Sequence, residues 1–205
     1  MAAHGFDRLA AIYDFLAWLV FGGAIDKSQA AYLSHLPPNA TVLVLGGGTG
    51  RFLPALLRIN PGARIVFIDA SSGMISRAAR RVKGTGQVRF IHGTEADIPP
   101  GVYDSVITPY YLDLFSDSQL ADTLVHIGKH LKPGALWIVA EFRTARAWHR
   151  VMASIMYFFF RDTTGLATRS LPDWAGALVR AGWQRAAVQK FYGEFIEASL
   201  WQRRP

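Results

Sequence analysis

Residues Val42 to Leu45 are all aliphatic, and Gly46-Gly47-Gly48-Thr49-Gly50 follow them without a spacer. Such a run suits a buried strand, and the glycines let the chain turn tightly and bring bare backbone up to a ligand. The spacing then narrows the ligand. A dinucleotide fingerprint, G-x-G-x-x-G, would need its third glycine where Arg51 stands, and a Walker-type phosphate loop needs a Lys that is missing here. The pattern that remains is G-x-G-x-G after an aliphatic strand.

A second aliphatic strand, Arg64 to Ile68, ends at Asp69. A carboxylate about 20 residues past such glycines is where Rossmann-like folds bind the two hydroxyls of a ribose. The alternative is a helix N-cap, a job that Ser71 or Ser72 could share.

Taken together, these stretches resemble class I S-adenosylmethionine (SAM) methyltransferases, and the resemblance runs over nearly the whole chain. Ile68-Asp69-Ala70-Ser71-Ser72-Gly73-Met74 is similar to the second family motif, Phe90 to Pro99 to the third, Tyr103 to Ile107 to the fourth, and Leu131 to Leu136 to the turn into the fifth strand. The resemblance implies a Rossmann-like, seven-stranded, mostly parallel sheet with one antiparallel strand and helices on both faces. It implies SAM as cofactor, held by Gly46, Gly47, Gly48 and Gly50, with Asp69 on the ribose and Ala70 and Met74 bordering the adenine. Val44 and Thr94 stand where the family often has acids, the first near the methionine amino group and the second at the adenine amino group. Thr94 can still accept a hydrogen bond, and Glu95 beside it is a substitute acid.

Alternating helical and strand-like segments fit a parallel α/β sheet. Helices are expected over Asp26 to Leu36, over Arg51 to Leu57, from beyond Asp69 to Val82, and from Leu171-Pro172-Asp173-Trp174 to Ala181. The strands Gln184 to Tyr192 and Phe195 to Trp201 are expected to form a hairpin through the two-residue turn Gly193-Glu194. At the start of the chain, Phe6 to Phe15 reads as an amphipathic helix running towards Phe21, and its Ala-x-x-Tyr-Asp phrase resembles the entry helix of ubiquinone/menaquinone-type and phospholipid-type methyltransferases. That likeness implies a lid with Tyr13 near the cofactor, while packing alone would make Tyr13 a core residue. One domain over 1–205 is expected, with 1–36 as lid helices and 143–170 as a cap over the substrate.

Thr108-Pro109-Tyr110-Tyr111-Leu112-Asp113 follows the fourth strand, and ligands of doubly wound sheets bind outside the carboxyl ends of strands. Pro109 and Tyr110 are therefore expected beside the cofactor, with Tyr110 or Tyr111 either facing the sulfonium or walling the pocket. The likeness to the D/N-P-P-Y/F element of amine methyltransferases is poor, since Thr108 replaces the acid or amide. Asp113 is a possible proton acceptor or a helix cap, and His149 is the other possible base. His126 and His130 sit at i, i+4 with no evident third ligand, so no metal is expected. From Trp148 to Phe160 apolar residues surround a helix, which suggests a substrate cap, a dimer face or contact with lipid.

The net charge of +7 suggests an anionic partner or a solvated surface, and cysteine is absent, which suits a cytoplasmic protein. No apolar stretch reaches the roughly 20 residues that span a bilayer, although peripheral contact with a membrane is open. The expected function is SAM-dependent methylation of a small or lipid-like hydrophobic acceptor on oxygen, carbon or nitrogen. Nucleic-acid methylation and a catalytically inert SAM-fold binding protein are the alternatives.

Overall fold

The structure of the chain, a computed structural model, describes Phe21 and residues 23–152 and 171–203. Tyr13, the rest of the entry helix before Phe21, and residues 153–170 of the expected cap lie outside the described residues.

Seven strands form one sheet: β1 (Thr41–Leu45), β2 (Arg64–Asp69), β3 (Val88–His92), β4 (Tyr103–Pro109), β5 (Leu131–Phe142), β6 (Trp183–Phe191) and β7 (Ile196–Arg203). Their order is β3-β2-β1-β4-β5-β7-β6. β1 pairs in parallel with both β2 and β4, while β7 runs antiparallel to β5 and to β6. The expected sheet, with its single antiparallel strand, is therefore the observed one. Strand order reverses between β1 and β4, the place where a crevice opens at the strand ends of a doubly wound sheet.

Alternation along each strand builds the two layers. Leu43 and Leu45 of β1, Trp137 and Val139 of β5 and Trp201 of β7 pack on one face with Leu120, Leu124 and Ile127 of α4 (Asp117–Lys129) and Leu178 of α5 (Trp174–Arg180). Val42, Val44, Phe67, Ile138 and Leu200 turn to the other face. There they meet Leu53 and Leu56 of α2 (Leu53–Ile59), Ala78 of α3 (Ser72–Arg81) and Leu33 and Leu36. A period of two in the strands thus sends neighbouring residues to opposite cores.

Three boundaries differ from expectation. The segment expected as one helix over 26–36 is α1 (Ala24–Ala30) followed by a 3-10 turn (Leu33–His35). Gly23, with φ 83°, opens α1 before Asp26, and the chain tightens past Tyr32 so that Leu33 and Leu36 can both be buried. α2 starts at Leu53, not Arg51, because Gly50 to Phe52 form a turn closed by a Leu53 N–H bond to the Gly50 carbonyl at 3.0 Å. The hairpin is joined by four residues, Tyr192 to Phe195. Tyr192, Gly193 and Glu194 all have positive φ, and the Phe195 N–H bonds the Tyr192 carbonyl at 3.1 Å.

Trp201 is fully buried between the sheet and α5. Its ring meets Trp174 edge-on at 6.5 Å, the Arg185 guanidinium lies 4.7 Å from its centroid, and its indole N–H donates to Ser199 Oγ at 2.8 Å. Removing it opens a cavity and strands the Ser199 hydroxyl. Trp201→Ala should cost about 3 to 5 kcal/mol of stability, read as a lowered urea midpoint.

Candidate cofactor and acceptor site

The glycine turn and Asp69 form one unit. The Asp69 carboxylate accepts the Gly48 N–H at Oδ2 (2.8 Å) and the Ser71 N–H at Oδ1 (2.9 Å), and the Gly46 N–H bonds the Ile68 carbonyl at 2.9 Å. β1 and β2 therefore deliver their ends to the same place. The helix cap is a separate group: Ser71 Oγ accepts the Met74 N–H at 3.2 Å and starts α3, while Asp69 orients the loop. Since a carboxylate has about four acceptor positions, this bracing is compatible with binding hydroxyls as well.

The glycines are not equivalent. A Cβ on Gly47 would run into the Phe67 ring, and one on Gly50 would lie 2.8 Å from Ala78 Cβ, so both are needed for packing. A Cβ on Gly46 would collide with the Tyr111 ring. Gly48, at φ 57°, has nothing within 4 Å of that position. It is the point in the turn where backbone faces open space, and it carries the N–H that Asp69 holds. That is a cradle a side chain would fill, as a cofactor site requires.

Around this cradle stand the other expected cofactor residues. Met74 is buried on α3 and Ala70 is exposed, its carbonyl paired with His92 Nε2 at 3.0 Å. Thr94 caps the 3-10 turn Glu95–Asp97: its Oγ1 accepts the Ala96 N–H and its own N–H donates to Asp97 Oδ2 at 2.9 Å. The hydroxyl thus does local structural work. Glu95 accepts a hydrogen bond from the Tyr111 hydroxyl, and its carbonyl meets His126 Nε2 at 3.0 Å. Tyr111 links the floor of the glycine turn to Glu95, and its phenol is held protonated well above the ordinary value by burial, then by Glu95 and Asp69. It therefore braces the glycine turn against the Glu95 turn.

Pro109 closes β4, and Tyr110 follows in a left-handed conformation, φ 54°, which costs a non-glycine residue about 1 to 2 kcal/mol. Three contacts hold it there. Its N–H donates to the Ala140 carbonyl at 2.7 Å, its hydroxyl pairs with Ser28 Oγ of α1 at 2.7 Å, and its ring lies 4.7 Å from that of Phe142. Arg51 fastens α1 to the glycine turn through a two-pronged pair with Asp26 at 2.7 and 2.6 Å. Phe21, Phe142 and Phe195 form a buried aromatic cluster behind Tyr110.

Of the two expected bases, Asp113 stands on the 3-10 turn Leu112–Leu114 past Tyr111, and burial pushes its carboxyl up to about 7. His149 is fully buried elsewhere. Its Nδ1 accepts the Arg146 N–H at 3.1 Å and its Nε2 is 3.1 Å from the Gly193 carbonyl of the hairpin turn, so both ring nitrogens are engaged by backbone groups. Sequence reasoning gave no role to Glu141 or to Ser28. An acid closing an otherwise apolar strand was the available signal for Glu141. Nothing in the sequence marked Ser28. Among the described residues, no group of three or more His, Asp or Glu is placed to hold a metal, and no helix is long and apolar enough to cross a membrane.

Residues 42–134 match the methyltransferase-domain family. The chain is 30% identical over 144 residues to a demethylmenaquinone methyltransferase of Clavibacter sepedonicus, covering 68% of this chain and 57% of that protein. It is 35% identical over 120 residues to nocamycin O-methyltransferase of Saccharothrix syringae, covering 55% and 41% respectively. The chain thus spans about half the length of these curated relatives. Its fold is shared by the magnesium protoporphyrin IX methyltransferase of Synechocystis, solved with bound SAH, at a TM-score of 0.66 and 20% identity, covering 88% of this chain and 82% of that one. The fold is therefore that of the Rossmann-like methyltransferases. Over residues 42–134 the chain is similar to the methyltransferase-domain family, and its sheet extends the resemblance to the class I SAM-dependent methyltransferases.

The different surroundings of the glycines make them separable by substitution. Gly47→Ala should lower the melting temperature by several degrees, roughly 1 to 3 kcal/mol of overpacking, through its clash with Phe67. Gly48→Ala should cost only about 1 to 2 kcal/mol of backbone strain while weakening the binding of S-adenosylhomocysteine, measured by calorimetry.

Proposed function

We propose that this chain transfers a methyl group from SAM to a small or lipid-like hydrophobic acceptor, on oxygen, carbon or nitrogen. The observation that carries the reading is the open backbone at Gly48 tied to the Asp69 carboxylate. In this reading Asp69 receives the ribose hydroxyls, Ala70 and Met74 flank the adenine, and Thr94 and Glu95 border its far edge. Gly46 to Gly50 receive the methionine end, and Pro109 and Tyr110 stand next to the sulfur. Tyr13 remains part of the proposal as a lid residue.

When bound, the cofactor supplies an electrophilic methyl group with a leaving group that needs no proton. The chain's own contribution is then alignment and exclusion of water, effects that reach several kcal/mol without any charged catalyst. The partly buried Tyr110 ring, backed by the buried rings of Phe142, Phe21 and Phe195, offers an apolar face for an acceptor. Relatives named as a demethylmenaquinone methyltransferase and a nocamycin O-methyltransferase support a small, largely apolar acceptor. An acceptor with an acidic hydroxyl must lose its proton, and Asp113 is assigned that role because it stands in the same post-β4 loop as Tyr110. His149 is not, because backbone groups occupy its ring.

Two measurements test the reading. Asp69→Ala should weaken S-adenosylhomocysteine binding by about ten- to a hundredfold, as expected for loss of a charged hydrogen-bond partner, with the fold retained by circular dichroism. Unchanged affinity would remove the ribose role. With a phenolic or hydroquinone acceptor, kcat should rise as pH passes through about 7, where Asp113 becomes the carboxylate that accepts a proton, and Asp113→Asn should abolish that rise. A wild-type rate independent of pH over about one unit either side of that value would remove Asp113 as base.

A further inference from the structure

One acid beside the site has no part in the roles assigned so far. Glu141, near the end of β5, is fully buried. Its Oε1 accepts the N–H groups of Tyr111 at 2.9 Å and Leu112 at 2.7 Å, with the Asp113 N–H acting in the same sense. The backbone of the loop from Tyr111 to Asp113 is therefore gathered on this side chain. Oε2 of Glu141 and Oδ1 of Asp113 are both buried without a hydrogen-bond partner. The two carboxyl groups also interact electrostatically.

Two ionised carboxylates here would repel each other away from water, and each would leave an oxygen unsatisfied. A single proton removes both difficulties at once: Oε2–H donates and Oδ1 accepts. We propose that Glu141 is a protonated positioning residue that donates a hydrogen bond to Asp113, so that the pair carries one negative charge and holds the Asp113 carboxylate in place. Its catalytic consequence rests on the reading of Asp113 as proton acceptor, while the pair itself does not.

The electrostatics agree. Burial, then the charge of Asp113, pushes the Glu141 carboxyl well above the ordinary carboxylate value, and burial raises Asp113 to about 7, so both groups resist being ionised together. Other charged groups on the elements packed here are already engaged. Glu197 stands directly across from Glu141 on β7 and is met by Arg143 at 2.6 Å and Arg185 at 3.5 Å. Glu95 is held by the Tyr111 hydroxyl, and Asp117 of α4 accepts the Asp173 N–H at 3.3 Å. None of these gives Glu141 Oε2 a partner.

Infrared spectroscopy of the full chain reads the proton directly, with no substrate present. At about pH 8, one unit above the Asp113 value, the wild type should show a buried protonated carboxyl band that Glu141→Gln removes. The Gln amide keeps the same acceptor for Tyr111 and Leu112 and the same donor for Asp113, so the variant should fold. In Asp113→Asn the band should persist but disappear at a lower pH than in the wild type, by about one unit, because the charge that raises Glu141 is gone. A wild type without the band at that pH, a band that survives Glu141→Gln, or an unshifted midpoint in Asp113→Asn overturns the proposal. Failure to find any methyl acceptor would count against the proposed function and leave this spectroscopic result standing.

Discussion

The hydrogen bond from the Gly48 N–H to Asp69 Oδ2 is the contact on which the rest of the site depends. It joins the turn after β1 to the end of β2 and points a carboxylate into the space that Gly48 leaves open. The tie is possible because β1 and β2 are parallel and in register, Leu45 against Ile68, so that both chains leave the sheet at the same level. Parallel strands buried on both faces need the aliphatic runs seen at 42–45 and 65–68. A change in that register would displace Asp69 from the turn and with it the polar end of the crevice.

The other half of the site is built on strain. Tyr110 sits in a conformation that non-glycine residues avoid, and it is kept there by Ser28, Ala140 and Phe142 from three separate elements. Such strain persists only where the surroundings overdetermine it, and it clusters at functional sites. Directly behind Tyr110, Glu141 takes the next two backbone N–H groups of the loop. Asp69 on one side of the switch point and Glu141 on the other thus play matching parts: each is a buried acid that orders a loop through backbone donors. The first orders the proposed cofactor's loop and the second the loop that carries Asp113.

Much of this was legible in the sequence for a physical reason. Strand runs, the glycine turn and Asp69 are local patterns, and each constrains a few consecutive residues in one way. The seven-stranded sheet and its single antiparallel strand rest on the family resemblance, and the structure has both. Less legible were features decided by distant contacts. Nothing local distinguishes Gly46, which Tyr111 covers, from Gly48, which is open. The part of Thr94 as a cap depends on Asp97 closing back on it, a pattern that competes with an adenine contact for the same hydroxyl. His149 reads as a possible base until Gly193, 44 residues away, is seen to occupy its ring. The four-residue hairpin turn likewise reflects Trp148 packing against Gly193, at 3.0 Å from where a Cβ would stand, and not the two-residue preference of an isolated hairpin.

A crystal structure of the chain soaked with S-adenosylhomocysteine tests the central claim most directly. The account predicts ribose oxygens within hydrogen-bond distance of Asp69 and ligand atoms in van der Waals contact with Gly48 Cα. Ligand bound away from Asp69, or a crevice that stays empty at saturating ligand, would contradict it.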